Sequence, residues 1–105
     1  MEPVTLQLSP DGNGSFHIMD GEKKIGEMII KISGDNLTVY HTEVAPEASG
    51  KGFAKKLLDA MVDYSRKNKM KVTALCPYVY AQFKRHAAEY DDIWKNKNIR
   101  HEKER

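Results

Sequence analysis

Cys76 is the only cysteine in 105 residues, so no disulfide can form within the chain, and no Cys/His spacing of a structural zinc site occurs. A lone thiol fits a reducing compartment. No apolar run approaches the ~20 residues that span a bilayer. The opening Met1-Glu2-Pro3-Val4 also lacks the basic and apolar stretches of a secretory signal. A cytoplasmic protein is expected. Charge of one sign is missing too: 17 Lys and Arg stand against 15 Asp and Glu, a net +2, which gives no footprint for nucleic acid or anionic lipid. At this length a chain buries about two-thirds of its unfolded surface, enough for one modest core but not a large internal cavity, so any active site is expected to be shallow or open.

What is present divides into two patterns. The first half is punctuated by turn residues at Pro10-Asp11-Gly12-Asn13-Gly14, Asp20-Gly21 and Ser33-Gly34-Asp35-Asn36. Between them lie four candidate strands, Val4 to Leu8, Ser15 to Met19, Lys24 to Ile32 and Leu37 to Val44, rich in β-branched and aromatic residues and joined closely enough for antiparallel hairpins. Alternation puts Met28, Ile30 and Ile32 on the core face of the third. After Pro46 the period changes. Phe53, Ala54, Leu57, Leu58, Met61, Val62 and Ser65 recur at helical spacing, predicting an amphipathic helix from about Gly50 to Asn68. Lys71 to Leu75 reads as a short buried strand reached by a right-handed crossover, and Pro77 opens a second helix running toward His86. Ile93 and Trp94 are expected to cover a core edge. Residues 95–105, with Ile99 as their only strongly apolar member, read as a charged, solvated tail after a single domain over 1–94.

The junction Val44-Ala45-Pro46-Glu47-Ala48-Ser49-Gly50-Lys51-Gly52-Phe53-Ala54 leads from a strand through small residues into the long helix. Glycines there let a backbone approach a ligand closely, and the first-turn N–H groups can donate to phosphate oxygens. Lysines at 51, 55 and 56 crowd a helix start whose dipole disfavours cations, an opposition that a bound polyphosphate reverses. Neither the P-loop nor the dinucleotide fingerprint is matched, the latter because Lys55 stands where a third glycine belongs. The spacing alone is equally compatible with a tight turn into a lysine-rich helix.

The loop Glu47-Ala48-Ser49-Gly50-Lys51-Gly52 resembles motif A of the GNAT acetyltransferases, written Gln/Arg-x-x-Gly-x-Gly/Ala. His41-Thr42-Glu43-Val44 before it, Cys76-Pro77-Tyr78 after the next strand and Arg85-His86 downstream extend the likeness to the small, single-domain YjdJ-type branch. The resemblance covers roughly residues 25–94. It implies an α+β fold with layered helices and sheet: a mixed, mainly antiparallel sheet with two main helices, splayed between its fourth and fifth strands. It also implies acetyl-CoA as cosubstrate, held in the splay with its pyrophosphate on N–H groups from Ser49 through Gly50, Lys51, Gly52 and Phe53 to Ala54. Val44 and Ala45 would run beside the pantetheine amides, with Tyr78 and Arg85 as further contacts. Glu47 departs from the pattern, since a carboxylate offers phosphates no donor and adds repulsion.

Cys76, just before Pro77, stands near the cap of the second helix. It reads either as a nucleophile or proton donor facing the thioester, or as a small buried hydrophobe. By alternation His41 shares a side with Val39 and Glu43, which makes it the preferred general base and Glu43 the second, or else an ordinary sheet histidine. Tyr78, Tyr80 and Phe83 are read mainly as packing. The expected function is acetyl transfer to an unidentified amine, directly or through Cys76. The alternatives are a non-catalytic acyl-CoA binding or sensing module and an interaction domain, as monomer or homodimer, with no metal expected.

Overall fold

A computed structural model describes residues 3–96. Strands β1 (Val4–Leu8), β2 (Asn13–Asp20), β3 (Lys23–Ser33), β4 (Asn36–Val44) and β5 (Lys71–Ala74) form one sheet in that order. Hairpins make the first three pairings antiparallel, and β4 and β5 run parallel because helix α1 (Phe53–Lys67) crosses between them. Helix α2 (Pro77–Arg85) and the short α3 (Ala87–Tyr90) follow. The mixed, mostly antiparallel α+β architecture is the expected one, with α3 and a 3-10 turn at Pro46–Ala48 as additions.

The helices pack on one face of the sheet. Phe16, Ile18, Met28, Ile30, Leu37, Val39, Val72 and Ala74 point from the strands into a single core with Leu57, Leu58, Met61 and Val62 of α1 and Val79 and Phe83 of α2. Each of these side chains larger than Ala74 contributes roughly 1.5–3 kcal/mol by leaving water. Approach is close where β3 carries Gly26: a Cβ there would lie 3.3 Å from Leu57. The opposite face, with Glu27, Ile29, Lys31, His41 and Glu43, carries no helix among the described residues, and Ile29 is 39% exposed.

α1 begins three residues later than its apolar spacing suggests, because Gly50 and Gly52 adopt φ of +81° and +82°, outside the helical region. At the other end Lys95 and Asn96, the first two residues of the expected tail, bond to β5. The Lys95 N–H donates to the Val72 carbonyl at 2.8 Å, and Asn96 is buried, its side chain accepting from the Ala74 N–H and donating to the Ala74 carbonyl, both at 3.1 Å. Asn96 thereby mimics a neighbouring strand at the edge of β5, where an unpaired buried peptide would be costly. It is steadied by the Trp94 indole N–H at 2.8 Å, while Trp94 packs edge-on against Tyr80 and Phe83. The rest of the expected tail, 97–105, lies outside the described residues.

Candidate active site

The parallel pairing of β4 with β5 ends at Val39 opposite Ala74. The N–H groups of Leu75 and Cys76 both donate to the Val39 carbonyl, at 3.0 and 2.9 Å, and the chain then turns into α2. Residues 40–44 of β4 continue along β3 with no strand on their other edge among the described residues. This is the splay, and its free β4 edge offers backbone donors and acceptors to an extended ligand.

A bulge decides which side chains face it. Ile29 pairs with His41 and Ile30 with Val39, so Tyr40 is the extra residue. One inserted residue reverses the alternation. Leu37 and Val39 face the core before it, Thr42 and Val44 after it, and His41 and Glu43 turn to the open face. The expectation that His41 shares a side with Val39 is therefore overturned. His41 and Glu43 remain together, Nε2 to Oε1 at 3.8 Å, with side chains 60% and 72% exposed.

On the core side of the splay Cys76 is 1% exposed, and its thiol donates to the Thr42 hydroxyl at 3.2 Å. That bond spans β4 and the cap of α2 just beyond the end of β5, so Thr42 joins the site although neither composition nor spacing marked it. Tyr78, in the first turn of α2, is partly buried, which pushes its phenol up and keeps it a donor at neutral pH. Arg85 lies in the last turn of α2, about 12 Å along the axis from the Cys76 end. There, with Lys84, it complements the negative helix terminus.

The loop after β4 is built for close approach. Both Gly50 and Gly52 have left-handed φ, and a Cβ added to either would meet nothing within 4 Å, so open space lies before the backbone at both positions. Gly52 caps α1 without a side-chain hydrogen bond. The first intrahelical bond, Lys56 N–H to the Gly52 carbonyl at 3.1 Å, leaves the N–H groups of Phe53, Ala54 and Lys55 without a helical acceptor. The Ser49 N–H is turned instead to the Pro46 carbonyl at 3.2 Å. Of the three lysines, Lys55 is bound to Asp59 at 3.0 Å, which raises its ammonium above the ordinary value, and Lys56 lies 5.3 Å over the Phe53 ring. Lys51 borders a cavity of about 400 Å³ shared with Asp20, Lys23, Ile25, Glu47, Ala48 and Phe53, in which Lys23 forms an ion pair with Glu47. On the other side of the β4 terminus Val44 and Ala45 line a depression of about 150 Å³ with Glu27 and Glu43. No group of three or more potential metal ligands occurs among the described residues. None of their helices is long and apolar enough to cross a membrane.

A splayed β4–β5 pair with a glycine cradle at the start of the intervening helix defines a class. Residues 15–93 match the family described as GCN5-related N-acetyl-transferase. The chain belongs to that family. Among solved structures it is similar to a GCN5-like candidate N-acetyltransferase from Staphylococcus aureus, with 26% identity over 90% of this chain and 91% of that one and a TM-score of 0.66. The ribosomal-protein-alanine N-acetyltransferase of Brucella melitensis shares the fold at 20% identity and a TM-score of 0.56, over 80% of this chain and 64% of its own. The ribosomal-protein-S18-alanine N-acetyltransferase of Escherichia coli does so at 18% and 0.57, over 63% of this chain, which spans 43% of that enzyme. No curated protein matches.

Proposed function

We propose that this chain transfers the acetyl group of acetyl-CoA to an amine by direct attack, and that it belongs to the YjdJ-type branch of its family, in the cytoplasm. The observation that carries the reading is the pair of left-handed glycines opening on free space at the start of α1, beside the unpaired edge of β4. The backbone fits a polyanion followed by an extended amide chain: N–H groups from Gly50 to Lys55 for the phosphates, and the free edge of residues 40–44 for the arm, Ala45 being bonded to Ile25 and Ala48. When bound, acetyl-CoA supplies the thioester whose acyl group is transferred.

The protein's part is positioning and proton management. The helices close the core side, so the acceptor amine arrives from the open face, where His41 and Glu43 stand to take its proton. Transfer breaks the carbon–sulfur bond, and the departing sulfur takes a proton from the Cys76 thiol or the Tyr78 phenol, which solvent then restores. The buried thiol, already donating to Thr42, suits a proton donor better than a nucleophile that must accept and release an acetyl group.

The test is a native mass spectrum with acetyl-CoA beside a denatured spectrum after incubation, followed by measurement of free CoA with and without a panel of amines. A one-to-one complex, an unmodified Cys76 and amine-dependent CoA release are expected. Acetyl confined to Cys76 would replace direct attack by a double displacement. A complex without amine-dependent turnover would make the chain a binding or sensing module, and a folded protein that forms no complex would leave an interaction domain.

A further inference from the structure

Glu47 occupies the position where motif A has Gln or Arg, and a carboxylate three residues before Gly50 opposes a polyanion. The fold answers this from a distant part of the chain. Lys23 opens β3 at the β2–β3 turn, 24 positions before Glu47, and its ammonium pairs with that carboxylate across the cavity beside the loop. The cavity's charged border is Asp20, Lys23, Glu47 and Lys51, two carboxylates balanced by two lysines. Without Lys23 the border next to the phosphate-binding backbone becomes net negative.

We propose that Lys23 is a positioning residue for the acyl-CoA phosphates. It neutralises Glu47 and holds the carboxylate toward the β2–β3 hairpin, so that a loop carrying an acid at this position still accepts a polyanion. Lys23 acts through Glu47 and does not itself bind the phosphates. The inference rests on the acyl-CoA reading above. Both side chains are more than half exposed, at 63% and 53%, so the effect is moderate and sensitive to salt.

The experiment is calorimetric titration of acetyl-CoA into the wild type, Lys23→Gln, Glu47→Gln and the double variant, in about 0.02 M and about 0.5 M salt. At low salt Lys23→Gln weakens binding about fivefold, and Glu47→Gln tightens it about twofold. In the Glu47→Gln background the loss of Lys23 has less than about a twofold effect, the non-additivity expected of a coupled pair. The penalty of Lys23→Gln shrinks at high salt, while the melting temperatures of the four unliganded proteins agree to within about 2 °C. An equal loss in both backgrounds would overturn the proposal by making Lys23 a direct ligand. Unchanged affinity in Lys23→Gln would overturn it while leaving the acyl-CoA reading intact, and absence of binding by the folded wild type would overturn both.

Discussion

From Asn36 to Val39, β4 is hydrogen-bonded on both edges and sends Leu37 and Val39 into the core, each with no exposed surface. From His41 to Val44 the same strand keeps β3 but has no strand on its other edge among the described residues, and every side chain is exposed or only partly buried. Tyr40, the bulged residue between them, is 46% exposed. The contrast shows how a domain this small divides one strand between a half committed to the core and a half whose backbone edge stays open. Peptide groups bonded on both edges belong to the half that holds the fold, and those with a free edge to the half beyond the bulge. The bulge separates the two and also decides which residues of the open half face solvent.

Removing the bulge challenges that division most severely. Inserting one residue between Ile29 and Ile30 gives Tyr40 a partner and restores simple alternation along β4, so that keeping Val39 in the core drives His41 and Glu43 toward it and turns Thr42 outward. Burying a carboxylate and an imidazole without partners is among the costliest changes a core can suffer. The insertion is expected to destabilise by about 4 kcal/mol or more in urea unfolding. Stability within about 1 kcal/mol of wild type would mean that the strand realigns some other way, and the bulge would lose the role given to it.

Two point substitutions act on one half each. Leu37→Ala leaves a cavity under α1 and should cost about 3 kcal/mol of stability. Acetyl-CoA affinity should hold to within about twofold in the folded protein, since the site lies beyond the bulge. Gly50→Val does the opposite. A branched side chain enters the space that the proposed function gives to the phosphates, at a φ of +81° that valine rarely adopts. Binding should weaken at least about tenfold, with a loss of stability of only about 1–2 kcal/mol. Unchanged affinity in a folded Gly50→Val protein would remove the glycine loop from the site.

The half that holds the fold was largely legible in the sequence, because turn residues and hydrophobic periods are local signals. β1 has the expected bounds, and the apolar stripe of α1 is the buried one. The open half was legible only where its chemistry is also local, in Gly50 and Gly52. Alternation carried through Tyr40 put His41 beside Val39, and nothing within β4 marks a bulge, which arises from its pairing with β3. Thr42 acquires meaning only from Cys76, 34 residues on, Glu47 from Lys23, and Asn96 from the peptide of Ala74. Each is a pairing across the fold, and a polar residue in isolation does not announce its partner. The family resemblance could place a loop and a splay, but it carried no information about an ion pair particular to this chain.

A weaker effect tests whether the structural half extends beyond the sheet. Arg66, near the end of α1, donates to both carboxylate oxygens of Asp92, at 3.0 and 3.1 Å, and to the Glu89 carbonyl at 2.7 Å, tying α1 to the segment that carries Ile93 and Trp94 against β5. The Arg66 hydrogen bond holds the Asp92 carboxyl below its ordinary value of 3.8. A carboxyl lowered in the folded state stabilises at pH above its unfolded value, and that contribution is lost as pH falls through the folded one. Wild type should therefore exceed Asp92→Asn in stability at pH 7, by less than about 1 kcal/mol because both side chains are about half exposed. The advantage should decline below about pH 4 and vanish when both states are protonated. Urea midpoints across that range measure it, and an advantage that persists into acid would mean that the contact acts through packing and not through charge. Acetyl-CoA affinity at neutral pH should be the same in both proteins, since the Asp92 clasp ties α1 to the edge of β5 and touches neither the glycine loop nor the free half of β4.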